Sequence, residues 1–194
     1  MLTDEEKREL LRLARQSVET AVRSRHGGAS VRRSAAQQTM ESFGGRLAEP
    51  GGAFVTIHVG GDLRGCIGYI ESPFPLGQVV TEVAEKAALE DPRFPPMSEE
   101  ELKDASIEVS VLSPLRKITD IGEIQVGTHG ILLELGRRRG LLLPQVATEQ
   151  GWDRLTFLQN TARKAGLPRE SWSDPGASIY IFSADIVQEE HDVH

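Results

Sequence analysis

Apolar residues recur every three or four positions near the start of the chain: Leu10, Leu13, Ala14, Val18, Ala21 and Val22 share one stripe, with Ser17 on its margin. That period predicts an amphipathic helix, and Thr3 followed by Glu6 has the spacing of a capping box at its start. Gly27-Gly28 is expected to end it. Residues 23–50 carry little pattern and read as a loop with room for one short helix. The period then changes to two. Phe54 to Val59 alternates as a strand, Gly60-Gly61-Asp62 turns the chain, and Leu63 to Ile70 returns, which together predict a hairpin.

Ser72-Pro73-Phe74-Pro75 breaks the strand pattern, after which Leu76, Val79, Val80, Val83, Ala84, Ala87 and Ala88 line one face of a second helix. Asp91-Pro92-Arg93-Phe94-Pro95-Pro96 is held extended by its prolines. Ser98 and Glu101 repeat the capping-box spacing ahead of a short helix. Ile107 to Leu112 alternates as a strand with one apolar face. Ile131–Leu135 and Leu141–Leu143, joined by a turn over Gly136–Gly140, predict a second hairpin, whose ladder Pro144 stops. Asp153 to Ala165, carrying Leu155, Leu158 and Ala162, reads as a helix closed by Gly166 and Pro168. Ser178 to Ser183 is the last apolar strand. Strands arranged as hairpins between helices favour an α+β fold with a mostly antiparallel (mixed) sheet and flanking helices.

Composition narrows the class. The 194 residues suffice for one domain, or for two small lobes sharing one. A 39% hydrophobic and 26% charged chain is that of a folded globular protein. Twenty-two basic against twenty-nine acidic residues give a net charge of −7, which argues against nucleic acid as a partner. Basic clusters at Arg32-Arg33 and Arg137-Arg138-Arg139 fall where solvated loops are expected. No apolar run approaches the roughly 20 residues that span a bilayer. The acidic start, Met1-Leu2-Thr3-Asp4-Glu5-Glu6, does not resemble a signal peptide, and one cysteine cannot form an intrachain disulfide. A reduced, cytoplasmic protein with no membrane association is the expectation.

The candidate chemistry centres on Leu63-Arg64-Gly65-Cys66-Ile67-Gly68. In a strand, Arg64 and Cys66 share a face, and Gly65 and Gly68 admit a close neighbour. A thiolate beside Arg64 has a nucleophile's surroundings, whereas a strand cysteine also serves as a small buried hydrophobe. His129, between glycines in Gly127-Thr128-His129-Gly130, is the candidate base, with Glu108 or Asp91 to orient it; His58 lies on the facing strand of the first hairpin. His26, His191 and His194 fall in loop or tail positions and are set aside. Arg93 can grip a carboxylate or phosphate bidentately, or pair with a neighbouring acid while Asp91 caps its turn. No spacing suits a metal ion, an iron–sulfur cluster, a dinucleotide or a phosphate loop, so no cofactor is expected. Trp152 and Trp172 are expected to pack the last helix against the sheet.

Four segments in register carry a resemblance: Leu63–Gly68, Asp91–Met97, Val126–Ile131, and Leu143–Ala147 followed by Glu149-Gln150-Gly151-Trp152-Asp153. Together they resemble the AMMECR-one domain family over roughly Leu10 to Glu189. The resemblance implies one domain, 1–194, of two intimately packed, unequal α+β lobes facing a cleft, with no lobe boundary legible in the sequence. It implies a cleft holding Arg64, Gly65, Cys66, Gly68, Asp91, Arg93, Glu108, His129 and Gln145. It also implies partners, since similar prokaryotic proteins are grouped with a Memo-like protein and a radical SAM protein, and a small anionic ligand is the further possibility. No settled activity comes with the family. Tyr69 stands where the family more often has a small or hydroxyl residue, and Ala162 where some bacterial relatives have cysteine, so this chain holds no resolving thiol.

Overall fold

The computed structural model describes residues 2–25 and 43–189. The expected helix stop at Gly27-Gly28, the Arg32-Arg33 pair, His26, His191 and His194 lie outside the described residues. The chain divides into two compact units, Met1–Leu112 with Asp185–His194, and Ser113–Ala184.

In unit 1, helix α1 (Asp4–Ser24) starts at the expected capping box: the Thr3 hydroxyl accepts from Glu6 N at 3.2 Å and the Glu6 carboxylate accepts from Thr3 N at 2.8 Å. Strands β1 (Ala53–Val59), β2 (Asp62–Tyr69) and β3 (Ala105–Leu112) form an antiparallel sheet with β1 in the middle, and β8 (Ala184–Gln188) lies beside β3. Helix α2 (Leu76–Leu89) packs with α1 over one sheet face. Val55, Ile57, Ile107 and Val109 meet Leu10, Val18, Val80 and Val83 there in one core. The opposite face therefore collects the other half of each alternation: Phe54, Thr56 and His58 on β1; Ser106, Glu108 and Ser110 on β3, polar except for Phe54. Arg15 binds Glu189 through both carboxylate oxygens and donates to Ala105 O at 2.8 Å, while Glu189 accepts from Ile107 N at 2.9 Å. This clamp joins α1, β3 and the end of the described chain.

In unit 2, strands β4 (Arg116–Ile118), β5 (Gly130–Leu135), β6 (Arg138–Leu142) and β7 (Ser178–Phe182) order as β4-β7-β5-β6, all antiparallel. Helices α3 (Pro144–Glu149) and α4 (Arg154–Lys164) complete it. Phe157, Leu158 and Ala162 pack on Ile131, Leu133, Ile179 and Ile181, with Trp152 and Trp172 against the same cluster.

The α+β class holds, but as two four-stranded sheets. Two corrections and one addition follow from local geometry. Leu135 pairs with Arg138, so the turn is only Gly136-Arg137, and Arg138 and Arg139 belong to a strand rather than a loop; Gly136 at φ 62 makes the tight turn. Leu155 is 45% exposed, because it is the second residue of α4 and stands at the margin of the stripe that Phe157, Leu158, Thr161 and Ala162 define. Pro144 ends the β6 ladder and also opens α3, at a position where its missing N–H costs nothing. The polar three-residue β4 and the edge strand β8 carry too weak an alternation to be read from sequence.

Gly65 faces α2, where an added Cβ would lie 2.1 Å from the Ala87 carbonyl oxygen. Gly65→Ala must push helix from strand, and we expect a loss of about 1–3 kcal/mol. Urea unfolding of the two proteins checks it, as a lower midpoint at unchanged slope.

Candidate functional site

β2 is an edge strand, so half of its backbone groups lack a strand partner. Thr56 and Cys66 face each other across the β1–β2 ladder. Both edge groups of Cys66 are taken by one segment, residues 91–97, which was expected to run extended but opens with a turn that Phe94 N closes on Asp91 O at 3.1 Å. Cys66 N donates to Asp91 Oδ2 at 2.9 Å, and Arg93 Nη2 donates to Cys66 O at 3.4 Å. The Asp91 carboxylate, 4% exposed, also accepts from Arg93 N at 3.0 Å, Arg93 Nε at 3.0 Å and Arg93 Nη2 at 2.7 Å. These donors hold the Asp91 carboxyl far below the ordinary carboxylate range, the Arg93 guanidinium contributing most. The segment is fixed at its far end by Met97, which is buried and donates from N to Ala88 O at 2.9 Å.

The Cys66 thiol is half-buried and accepts a hydrogen bond from the Thr56 hydroxyl at 3.2 Å. Burial pushes its pKa up. The Thr56 donor and the Arg93 charge oppose that, and Asp91 and Glu108 reinforce it. Thr56 pairs in turn with Glu108, so Cys66, Thr56 and Glu108 form one row across three strands. Sequence reasoning missed Thr56 in this role; the strand register is the signal that locates it.

Arg64 stands at a break in the β1–β2 pairing. The ladder slips between Ile57 and His58, leaving Arg64 as the extra residue of a bulge. Its guanidinium grips Glu101, Nε at 2.6 Å and Nη2 at 3.2 Å, and Glu101 simultaneously caps Ser98 N at 2.8 Å. Phe94 stacks with both arginines, 5.8 Å from the Arg64 guanidinium and 5.4 Å from that of Arg93. Both guanidinium forks are thus paired with internal carboxylates, yet the Arg93 side chain stays 49% exposed. Gly68 lies under the Phe54 ring, where a Cβ would come within 2.3 Å of it. Tyr69 points elsewhere: its hydroxyl donates to Glu82 at 2.6 Å and accepts from Lys86 at 2.6 Å, tying β2 to α2.

The remaining site residues belong to unit 2. His129 Nδ1 accepts from Gln125 N at 3.1 Å, which ties the ring to its own turn. Gly130 beside it packs under the Phe182 ring. Gln145 is the second residue of α3, and Ala162 is buried in the α4 core. Among the described residues, no three or more His, Cys, Asp and Glu side chains cluster as a metal site would need, and no helix is long and apolar enough to cross a membrane.

The AMMECR1 family profile matches residues 11–187, spanning both units, and the chain belongs to that family. It is 41% identical to protein MK0488 of Methanopyrus kandleri over 97% of this chain and 91% of that protein. A protein of Methanothermobacter thermautotrophicus is 42% identical, with 97% of each chain covered. The crystal structure of the uncharacterized protein PH0010 from Pyrococcus horikoshii is similar at a TM-score of 0.86 and 36% identity, covering 97% of this chain and 94% of that one.

Because the folded Asp91 pKa is depressed, its ionised form stabilises the fold fully above the unfolded value of about 3.9, and that contribution fades as pH falls toward the folded value. Asp91→Asn is expected to cost about 2 kcal/mol at pH 7, the half-exposed Arg93 reducing the loss below that of a fully buried pair. Denaturation of both proteins from pH 7 to pH 3 checks this: the difference should narrow below about pH 4.

Proposed function

We propose that this protein is a binding component that works with partners, presenting the Arg93–Phe94 surface, which covers the Leu63–Gly68 edge, to a Memo-like protein, a radical SAM protein or a small anionic ligand of their reaction. The observation that carries this reading is the anchored, half-exposed guanidinium of Arg93. Asp91 holds it through two side-chain hydrogen bonds and Phe94 stacks with it, so little conformational entropy is lost when its outer edge meets an anion. Arg64, held by Glu101 and stacked on the same ring, supports that surface, and Cys66 packs beneath it.

The rival is a thiol enzyme with Cys66 as nucleophile and His129 as base. Two features weigh against it. Burial pushes the thiol pKa up, away from that of an activated nucleophile, and the Arg93 charge that opposes this is engaged by Asp91. The Nδ1 lone pair of His129 is occupied by Gln125 N, which in a neutral imidazole leaves Nε2 as a donor rather than a base. A reduced cytoplasmic setting suits a protein whose single thiol is left free.

The deciding experiment is Cys66 alkylation against pH in the wild type, Arg93→Ala and His129→Ala. The binding reading expects no plateau below the unperturbed thiol value of about 8.5 and no effect of His129→Ala. A rate that saturates well below that value and loses the plateau in His129→Ala establishes the nucleophile and sinks the proposal. In parallel, Arg93→Gln should weaken co-purification with the Memo-like or radical SAM protein, assayed well below the lowered thermal midpoint that loss of the Asp91 pair brings. Capture equal to wild type removes Arg93 from the binding surface.

A further inference from the structure

Arg137-Arg138-Arg139 alone reads as a solvated turn, but the fold of unit 2 gives it neighbours that lie 24 or more residues away in sequence. β6 is pressed against the end of α4. An added Cβ at Gly140 would lie 2.4 Å from Ala165 N and 2.7 Å from Thr161 O, a backbone-on-backbone approach that only glycine allows. The Arg138 guanidinium donates to the Gly166 carbonyl just past the helix. The β5–β6 turn is thereby set beside the last turn of α4, which carries Arg163 and Lys164, both exposed. Arg169 extends the cluster: it donates to Gln159 at 2.6 Å, one helical turn before Arg163.

These cations are not consumed by local acids. Among the described residues Arg137, Arg163 and Lys164 form no ion pair, Arg138 is held by a carbonyl and Arg169 by an amide. Arg139 differs, because the strand alternation sends it to the other sheet face, where it pairs with Glu134 at 2.8 Å. The carboxylates nearest the cluster in sequence are Glu170, next to Arg169, and Glu134, which Arg139 engages. Arg163 and Lys164 also suit the negative end of the helix dipole, but that accounts for neither Arg137 nor Arg169. Unit 2 carries more basic than acidic residues in a chain of net charge −7.

We propose that this end of unit 2, formed by the β5–β6 turn and the C-terminal turn of α4, is a docking surface for an acidic peptide segment of a partner protein. Charge complementarity favours a short carboxylate-bearing segment over nucleic acid. The patch is a few side chains wide, and a duplex, with a charge every ~1.7 Å along its axis, extends past it over a protein whose remaining surface is more acidic still. The surface is built from other residues than the Cys66 edge and does not depend on the role proposed for it.

Fluorescence anisotropy with a labelled poly-glutamate peptide tests the assignment, using the full chain at low and at physiological salt. The wild type should bind, more weakly as salt rises, and Arg137→Gln/Arg163→Gln/Lys164→Gln should weaken binding about tenfold or more. Arg139→Gln, on the opposite sheet face, should bind as the wild type does. All four side chains are solvent-exposed, so unchanged thermal midpoints serve as the fold control. Absence of wild-type binding at low salt, equal binding by the triple variant, or an equal loss in Arg139→Gln overturns the proposal. Tighter binding of a labelled RNA duplex that the triple variant loses would overturn it in favour of a nucleic-acid surface.

Discussion

The Asp91 carboxylate is the interaction on which the geometry around Cys66 depends. A carboxylate that is 4% exposed must have its lone pairs filled, and it accepts from Cys66 N, Arg93 N, Arg93 Nε and Arg93 Nη2. Each bond has a structural consequence. The first closes the open edge of β2, the second tightens the turn, and the last two fix a guanidinium that would otherwise sample many rotamers. Proline on either side of Arg93 and Phe94 limits the alternatives available to the backbone. The segment therefore behaves as a rigid cover for an edge strand, with a cation and an aromatic ring on its outer surface.

The same pairing accounts for the state of the thiol. An arginine close to a cysteine lowers its pKa only to the extent that the positive charge is unbalanced. Here Arg93 and Asp91 reach the thiol as an ion pair whose two effects oppose each other, so burial decides the direction. A charged neighbour in the sequence is thus poor evidence for an activated nucleophile when that neighbour already has an internal partner. Arg64 makes the point again, since Glu101 engages its fork.

Both units bring sheet and helix together through a glycine. Gly65 meets the Ala87 carbonyl in unit 1, and Gly140 meets the Ala165 amide in unit 2. In each case the absent side chain sets what surrounds the neighbouring residues: Cys66 beside the first, Arg138 and the end of α4 beside the second. The glycines of the Leu63–Gly68 motif are read here as packing requirements of β2, Gly65 toward the helix and Gly68 under the Phe54 ring, and they do not by themselves imply a bound ligand.

Much of the fold was legible because periodicity and capping are local. The stripe from Leu10 to Val22, the capping boxes at Thr3 and Ser98 and both hairpins stand where their residues place them, whereas the proline-rich segment after α2 turns at its start instead of running extended. The failures were also local in cause: Leu155 has the spacing of the buried stripe but stands at its margin in the first turn of α4, and β4 and β8 are too short or too polar to show a period. The site was legible only as residue types. Arg64, Cys66, Asp91 and Arg93 stand out in sequence, but the bulge at Arg64, the Thr56 hydroxyl opposite Cys66 and the choice of partner for each arginine depend on strand register and chain crossing. The sequence by itself determined the α+β class and the residues that carry charge and thiol. The tertiary structure decided which of those charges are neutralised, because pairing is set by distances between segments remote in the chain, and no local pattern encodes those.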